Sequence, residues 1–139
     1  MTAVDLRHGA AAEAIRRQRL IVILRRVGPV DRLVALIEEL ADAGARIFEV
    51  TFDEPAAGEG LKASAERLAR RNDGPFLVGA GTIRTGDQVR AATDAGAAFA
   101  VSPTFNRELL EAALTAARSS RAGQRPPRSR RRGKAERPL

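Results

Sequence analysis

The stretch "DAGARIFEVTFDEP" (residues 42–55) decides how the chain is read. Asp-Ala-Gly-Ala closes a helical pattern with Gly44 as its cap, and a run of strand-forming residues follows at once. Alternation along that run places Ile47, Glu49 and Thr51 on one face and Phe48, Val50 and Phe52 on the other. The phenylalanine face is suited to meet helices. The opposite face carries a carboxylate among apolar neighbours, and an unpaired buried carboxylate either destabilises the fold or has its pKa pushed up. Glu49 therefore faces water on a half-exposed strand, pairs with a cation such as Arg25, or serves an interior acid–base role.

Working outward, the same joint recurs. Asp-Ala-Gly-Ala appears again at 94–97, once more between a helical pattern and an apolar run. Strand-like runs fall at 20–24 ("LIVIL"), 47–52 ("IFEVTF"), 76–80 ("FLVGA") and 99–102 ("FAVS"). Helical patterns separate them. In 31–44 the apolar stripe is Leu33, Leu36, Ile37 and Leu40, with Pro29 before its start. Residues 56–71 carry Leu61, Ala65 and Leu68. A third helix opens on Thr85-Gly86-Asp87-Gln88, which fits a capping box, and a fourth runs on from Asn106. Strands alternating with helices mean parallel βα units. The fold class is α/β, a (βα) barrel of the TIM type represented by about four units (a half-barrel), with an N-terminal helix ahead of them. Such a half-barrel is expected to leave two strand edges unpaired and an apolar interior face.

Composition limits the function classes. The chain has 139 residues, no cysteine and one histidine, His8, so thiolate chemistry is absent and no cluster has metal-ligand spacing. No metal and no cofactor are expected. No apolar run reaches the roughly 18 residues that span a bilayer, the N-terminus lacks signal-peptide order, and a cytoplasmic location is the expectation. Net charge is +7, but residues 1–117 hold 15 basic and 16 acidic groups, whereas 118–139 hold nine basic and one acidic. A globular domain over 1–117 and a disordered Arg-rich tail over 118–139 follow. For the tail a nucleic-acid arm, a solvated segment without a partner and out-of-frame translation of GC-rich DNA compete. The last is preferred, because the composition breaks abruptly where another strand is due.

Candidate site residues gather at strand ends. On strand 1 the alternation groups Ile21, Ile23 and Arg25, so Arg25 reaches the same rim as Glu49 and Thr51. In a βα barrel, inward residues at that end build the active site. "VGAGT" (78–82) supplies Gly79 and Gly81, which allow close approach to the backbone, and Thr82, which offers a hydroxyl and an amide to an anion. "SPT" (102–104) places Pro103 after the fourth strand. Each motif taken alone is weak.

Together "VILR" (22–25), "ADAGARIFEVTF" (41–52), "LVGAGT" (77–82), "QVRAATDAGAAFAVSP" (88–103) and "ELLEAA" (108–113) resemble the 2-keto-3-deoxy-6-phosphogluconate (KDPG) and 4-hydroxy-2-oxoglutarate (KHG) aldolase family over roughly residues 15–117. The resemblance implies a metal-independent class I aldolase, commonly trimeric, that cleaves a 2-keto-3-deoxy-6-phospho sugar acid to pyruvate and glyceraldehyde 3-phosphate. A Schiff-base lysine, Glu49 as general acid and base, and Thr82 on the pyruvyl carboxylate are the implied machinery, with Thr51, Gly79, Gly81 and Pro103 lining the substrate site. Two departures stand out. Many members carry a carboxylate-binding arginine where this chain has Asp53, so that role passes to Arg25, and Asp53 is expected to face outward. The family's Schiff-base lysine lies on the sixth strand, whereas the lysines here are Lys62 and Lys134. The chain is accordingly expected to be inactive alone. The alternative reading is a non-enzymatic half-barrel whose basic tail binds polyanions.

Overall fold

The computed structural model describes residues 2–6 and 9–122. In chain order these form β1 (Thr2–Asp5), α1 (Ala10–Gln18), β2 (Val22–Leu24), α2 (Val30–Asp42), β3 (Ile47–Thr51), α3 (Ala57–Ala69), β4 (Leu77–Gly81), α4 (Gly86–Asp94), β5 (Phe99–Ser102) and α5 (Arg107–Ala122). The sheet order is β1-β5-β4-β3-β2, with β2 to β5 parallel and β1 antiparallel to β5. The four anticipated βα units are present, and the parallel open sheet is the half-barrel that the pattern implied. Each Asp-Ala-Gly-Ala joint has its glycine in the left-handed region, with φ of 104° at Gly44 and 90° at Gly96. Thr85 and Gln88 close the expected capping box, and the Asn106 carboxamide accepts from the amides of Glu108 and Leu109 to start α5.

Alternation sorts the core as the sequence indicated. Phe48, Val50, Val78, Ala80 and Ala100 share one cluster with Leu33, Ile37, Leu61, Leu68 and Val89 of the outer helices. On the inner face Ile47, Phe99 and Val101 pack with Ala11, Ala14 and Ile15 of α1. Ile47, Leu77 and Phe99 are the first residues of their strands, so α1 closes the N-terminal end of the inner face. The C-terminal end is left to polar groups.

Two expectations change. Strand β1 was not anticipated: it pairs with β5 from Thr2↔Ser102 to Asp5↔Phe99 and covers one of the two parallel edges expected to stand open. Its four residues lack a pattern of their own, and the ladder to β5 supplies what periodicity does not. Asp5 then accepts from the Ala12 amide at 2.9 Å and fastens β1 to the first turn of α1. β2 remains an edge strand of the described sheet, with Leu20 and Ile23 exposed beside it. The second change is at the other end, where α5 continues through Ala122, five residues beyond the boundary set at 117. The rest of the Arg-rich segment, 123–139, lies outside the described residues, as do His8 and Lys134.

Candidate functional site

The site forms where β2, β3 and β4 end. Glu49, at the middle of β3, stands level with Ile23 on one side and Gly79 on the other. Its residue is 7% exposed, and among the described residues its carboxyl accepts no hydrogen bond. A Cβ at Gly81 would overlap this carboxyl, so glycine there is what lets the glutamate lie across the strand. Burial raises the Glu49 pKa above its ordinary value, and the nearby Arg25 charge only partly offsets this. A carboxyl whose protonated form is favoured by burial, beside a cation, has the chemistry of a general acid and base.

Arg25 follows directly on β2. One end of its guanidinium donates to the Thr82 hydroxyl at 3.2 Å and the other to Asp53 at 3.1 Å. Of the three readings left open for Glu49, the surface position is excluded by its burial, and no direct ion pair forms, since Arg25 is bonded to Asp53 and Thr82 instead. Thr82 sits in the left-handed region at φ 57°, strained for a β-branched residue. Its neighbours hold it there: the Gly81 carbonyl accepts from the Phe52 amide at 2.8 Å, and the Ile83 amide donates to the Val101 carbonyl at 3.0 Å. Such over-determined strain gathers at functional positions. Gln88 links α4 to the same rim by donating to the Phe52 carbonyl at 2.9 Å.

The expectation that Asp53 faces outward is overturned. Its side chain is 7% exposed, accepts from the Thr51 hydroxyl at 2.7 Å and pairs with both Arg25 and Arg26. The Thr51 hydroxyl, above all, holds the Asp53 carboxyl below its ordinary range, and the two guanidiniums add to this. Inward placement does not leave a bare negative charge at the rim, because two arginines neutralise it. Residues 51 and 53 share strand parity, and that signal was legible in the sequence. Arg26, with φ 52°, was missed altogether, since alternation assigns it to the opposite face and only the left-handed turn brings it back.

Arg25, Glu49, Thr51, Gly81 and Thr82 therefore come together. Gly79 and Pro103 stand differently. The space above Gly79 is filled by the Phe99 ring, which a Cβ there would overlap. Pro103 is exposed on the loop after β5, where the Ser102 hydroxyl is held by the Thr104 backbone. Lys62 is exposed on α3 in the outer layer. Among the described residues no group of His, Cys, Asp and Glu is arranged to hold a metal ion, and no helix is long and apolar enough to cross a membrane.

Comparison with known proteins shows the family of the chain. The family described as KDPG and KHG aldolase matches residues 11–123. A 2-dehydro-3-deoxy-phosphogluconate aldolase of Haemophilus influenzae is 33% identical over 99 residues, covering 71% of this chain and 44% of its own length. A KHG/KDPG aldolase of Escherichia coli K12 is 32% identical over 103 residues, covering 74% and 46%. Among solved structures, a KDPG aldolase from Legionella pneumophila, with pyruvate captured as a covalent carbinolamine intermediate, matches with a TM-score of 0.59 at 33% identity. That match covers 66% of this chain and 42% of that one. The chain thus spans somewhat under half the length of these relatives.

Proposed function

Since this chain belongs to the KDPG and KHG aldolase family, we propose that it carries the acid–base and carboxylate-holding part of a class I aldolase site. The substrate is a 2-keto-3-deoxy-6-phospho sugar acid. The observation that carries the reading is the buried Glu49 carboxyl lying over Gly81, with Arg25 and Thr82 joined beside it. Arg25 and Thr82 receive the pyruvyl carboxylate. A lysine amine attacks the C2 ketone, and Glu49 moves the protons of carbinolamine dehydration. Glu49 then takes the C4 hydroxyl proton as the C3–C4 bond breaks and the protonated imine accepts the electron pair. Thr51 acts through Asp53, and Gly79 shapes the site by admitting Phe99. Pro103 borders it on the β5 side.

Among the described residues no lysine lies at the rim, since Lys62 is exposed on α3 in the outer layer, and the 139-residue chain alone is read as inactive. A homo-oligomer, trimeric as the resemblance implies, and a cytoplasmic location complete the proposal.

The test is intact mass after borohydride reduction in the presence of pyruvate, on the endogenous protein and on the purified 139-residue chain. The expected result is a reduced pyruvyl adduct on an endogenous species heavier than 14.9 kDa and none on the short chain. An adduct on Lys62 would place the chemistry away from Glu49. An endogenous mass near that of the short chain, with no adduct, would remove the aldolase assignment from this protein. The strongly basic composition of 118–139 favours a second reading, a polyanion-binding tail, which deletion of that segment would test through loss of salt-dependent binding.

A further inference from the structure

Asp53 occupies an unusual position for an acid at a site that takes acids. One of its carboxylate oxygens accepts from Thr51, and the other meets Arg25 at 3.1 Å and Arg26 at 3.2 Å. The two arginine side chains are 57% and 69% exposed, whereas the aspartate is 7% exposed. Mobile cations are thus pinned by a fixed anion, and not the reverse. An arginine left in water samples many rotamers, and ordering it for a ligand costs binding energy. Arg25 has that cost met in advance, since Asp53 holds one end of its guanidinium and Thr82 the other.

We propose that Asp53 is a positioning residue, fixing the Arg25 guanidinium against Thr82 and leaving the two arginines with one unbalanced positive charge, so that the rim takes a single carboxylate. This rests on the reading of Arg25 and Thr82 as the carboxylate-holding pair. Two fully available guanidiniums would suit a dianion. With Asp53 present, a second carboxylate on the ligand finds no free cation in this cluster and meets the aspartate instead. The Thr51 hydroxyl is the hinge of the arrangement, because it directs one Asp53 oxygen away and turns the other towards the arginines.

The experiment uses the full 139-residue chain and two readouts. The first is ligand-free: the Arg25 Nη1–H and Nη2–H signals in nitrogen–proton spectra, from the two groups bonded to Asp53 and Thr82, are expected to be resolved and slow to exchange in the wild type. They should become averaged in Asp53→Asn, fall between the two in Thr51→Val, and recover in Thr51→Ser. Backbone spectra of the same samples establish that each variant is folded. The second is the ratio of dissociation constants for pyruvate and 2-oxoglutarate, which Asp53→Asn should shift about tenfold towards the dianion. An Arg25 signal unchanged in both Asp53→Asn and Thr51→Val would overturn the proposal, as would an unchanged ratio in a chain that binds both acids. If the wild type binds neither acid, the keto-acid reading of the site falls, and the Arg25 signal still decides whether Asp53 positions it.

Discussion

The two ends of the inner sheet face obey opposite rules. At the N-terminal end Ile47, Phe99 and Val101 pack against Ala11 and Ile15, with no polar atom among their side chains. Towards the C-terminal ends of β2, β3 and β4 the rim holds a buried carboxyl, an aspartate between two arginines and a threonine in the left-handed region. The first region is built for stability. The second keeps polar groups where apolar ones would be cheaper, and that surplus of chemistry is what marks it as the site.

Mutations should divide along that line. Phe99→Ala, at the apolar end, is expected to cost the most, about 3–5 kcal/mol for a fully buried aromatic, seen as a large drop in the denaturation midpoint. Gly79→Ala comes next at about 1–3 kcal/mol, because the new methyl overlaps the ring of Phe99, which is fully buried. Gly81→Ala, two residues along the same strand, makes the sharper comparison. Its methyl meets the free end of Glu49, which can swing aside, so stability should fall by less than for Gly79→Ala while the response to pyruvate is lost. Equal stability losses at the two glycines would mean that Glu49 is as rigidly packed as Phe99.

The smallest effect should have the opposite sign. Because the folded state raises the Glu49 pKa above its ordinary 4.5, the native chain holds that proton more tightly than the unfolded chain does. Stability is therefore lost as pH rises from that ordinary value through the raised one. Glu49→Gln should melt higher than wild type at neutral pH, and the advantage should vanish below the ordinary glutamate range. A variant less stable than wild type at neutral pH would mean that the carboxylate is compensated by contacts stronger than the Arg25 charge.

Most of this division is legible in the amino-acid sequence. Strict alternation in "IFEVTF" separates Phe48 and Val50 from Ile47, Glu49 and Thr51, and the two cores follow that parity. The repeated Asp-Ala-Gly-Ala joints fix where helices stop, since only glycine sits easily at the positive φ required there. The same parity rule places Asp53 beside Thr51, but its negative charge argues against an inward position, and the counter-charges cannot be located from sequence. Gly79 and Gly81 look alike as letters. One admits a core ring and the other the Glu49 carboxyl, a distinction that depends on which strand lies alongside.

By itself, then, the sequence determined the βα order and the faces of each strand, because these depend on periodicities of two and 3.6 within short segments. Only the tertiary structure decided that β1 would cover β5, that Arg26 would turn back towards Asp53, and that Arg25 would bridge to Thr82 instead of pairing with Glu49. Each of these is a contact between residues 27 to 100 positions apart. Their geometry is set by sheet register and left-handed turns, which no local pattern encodes.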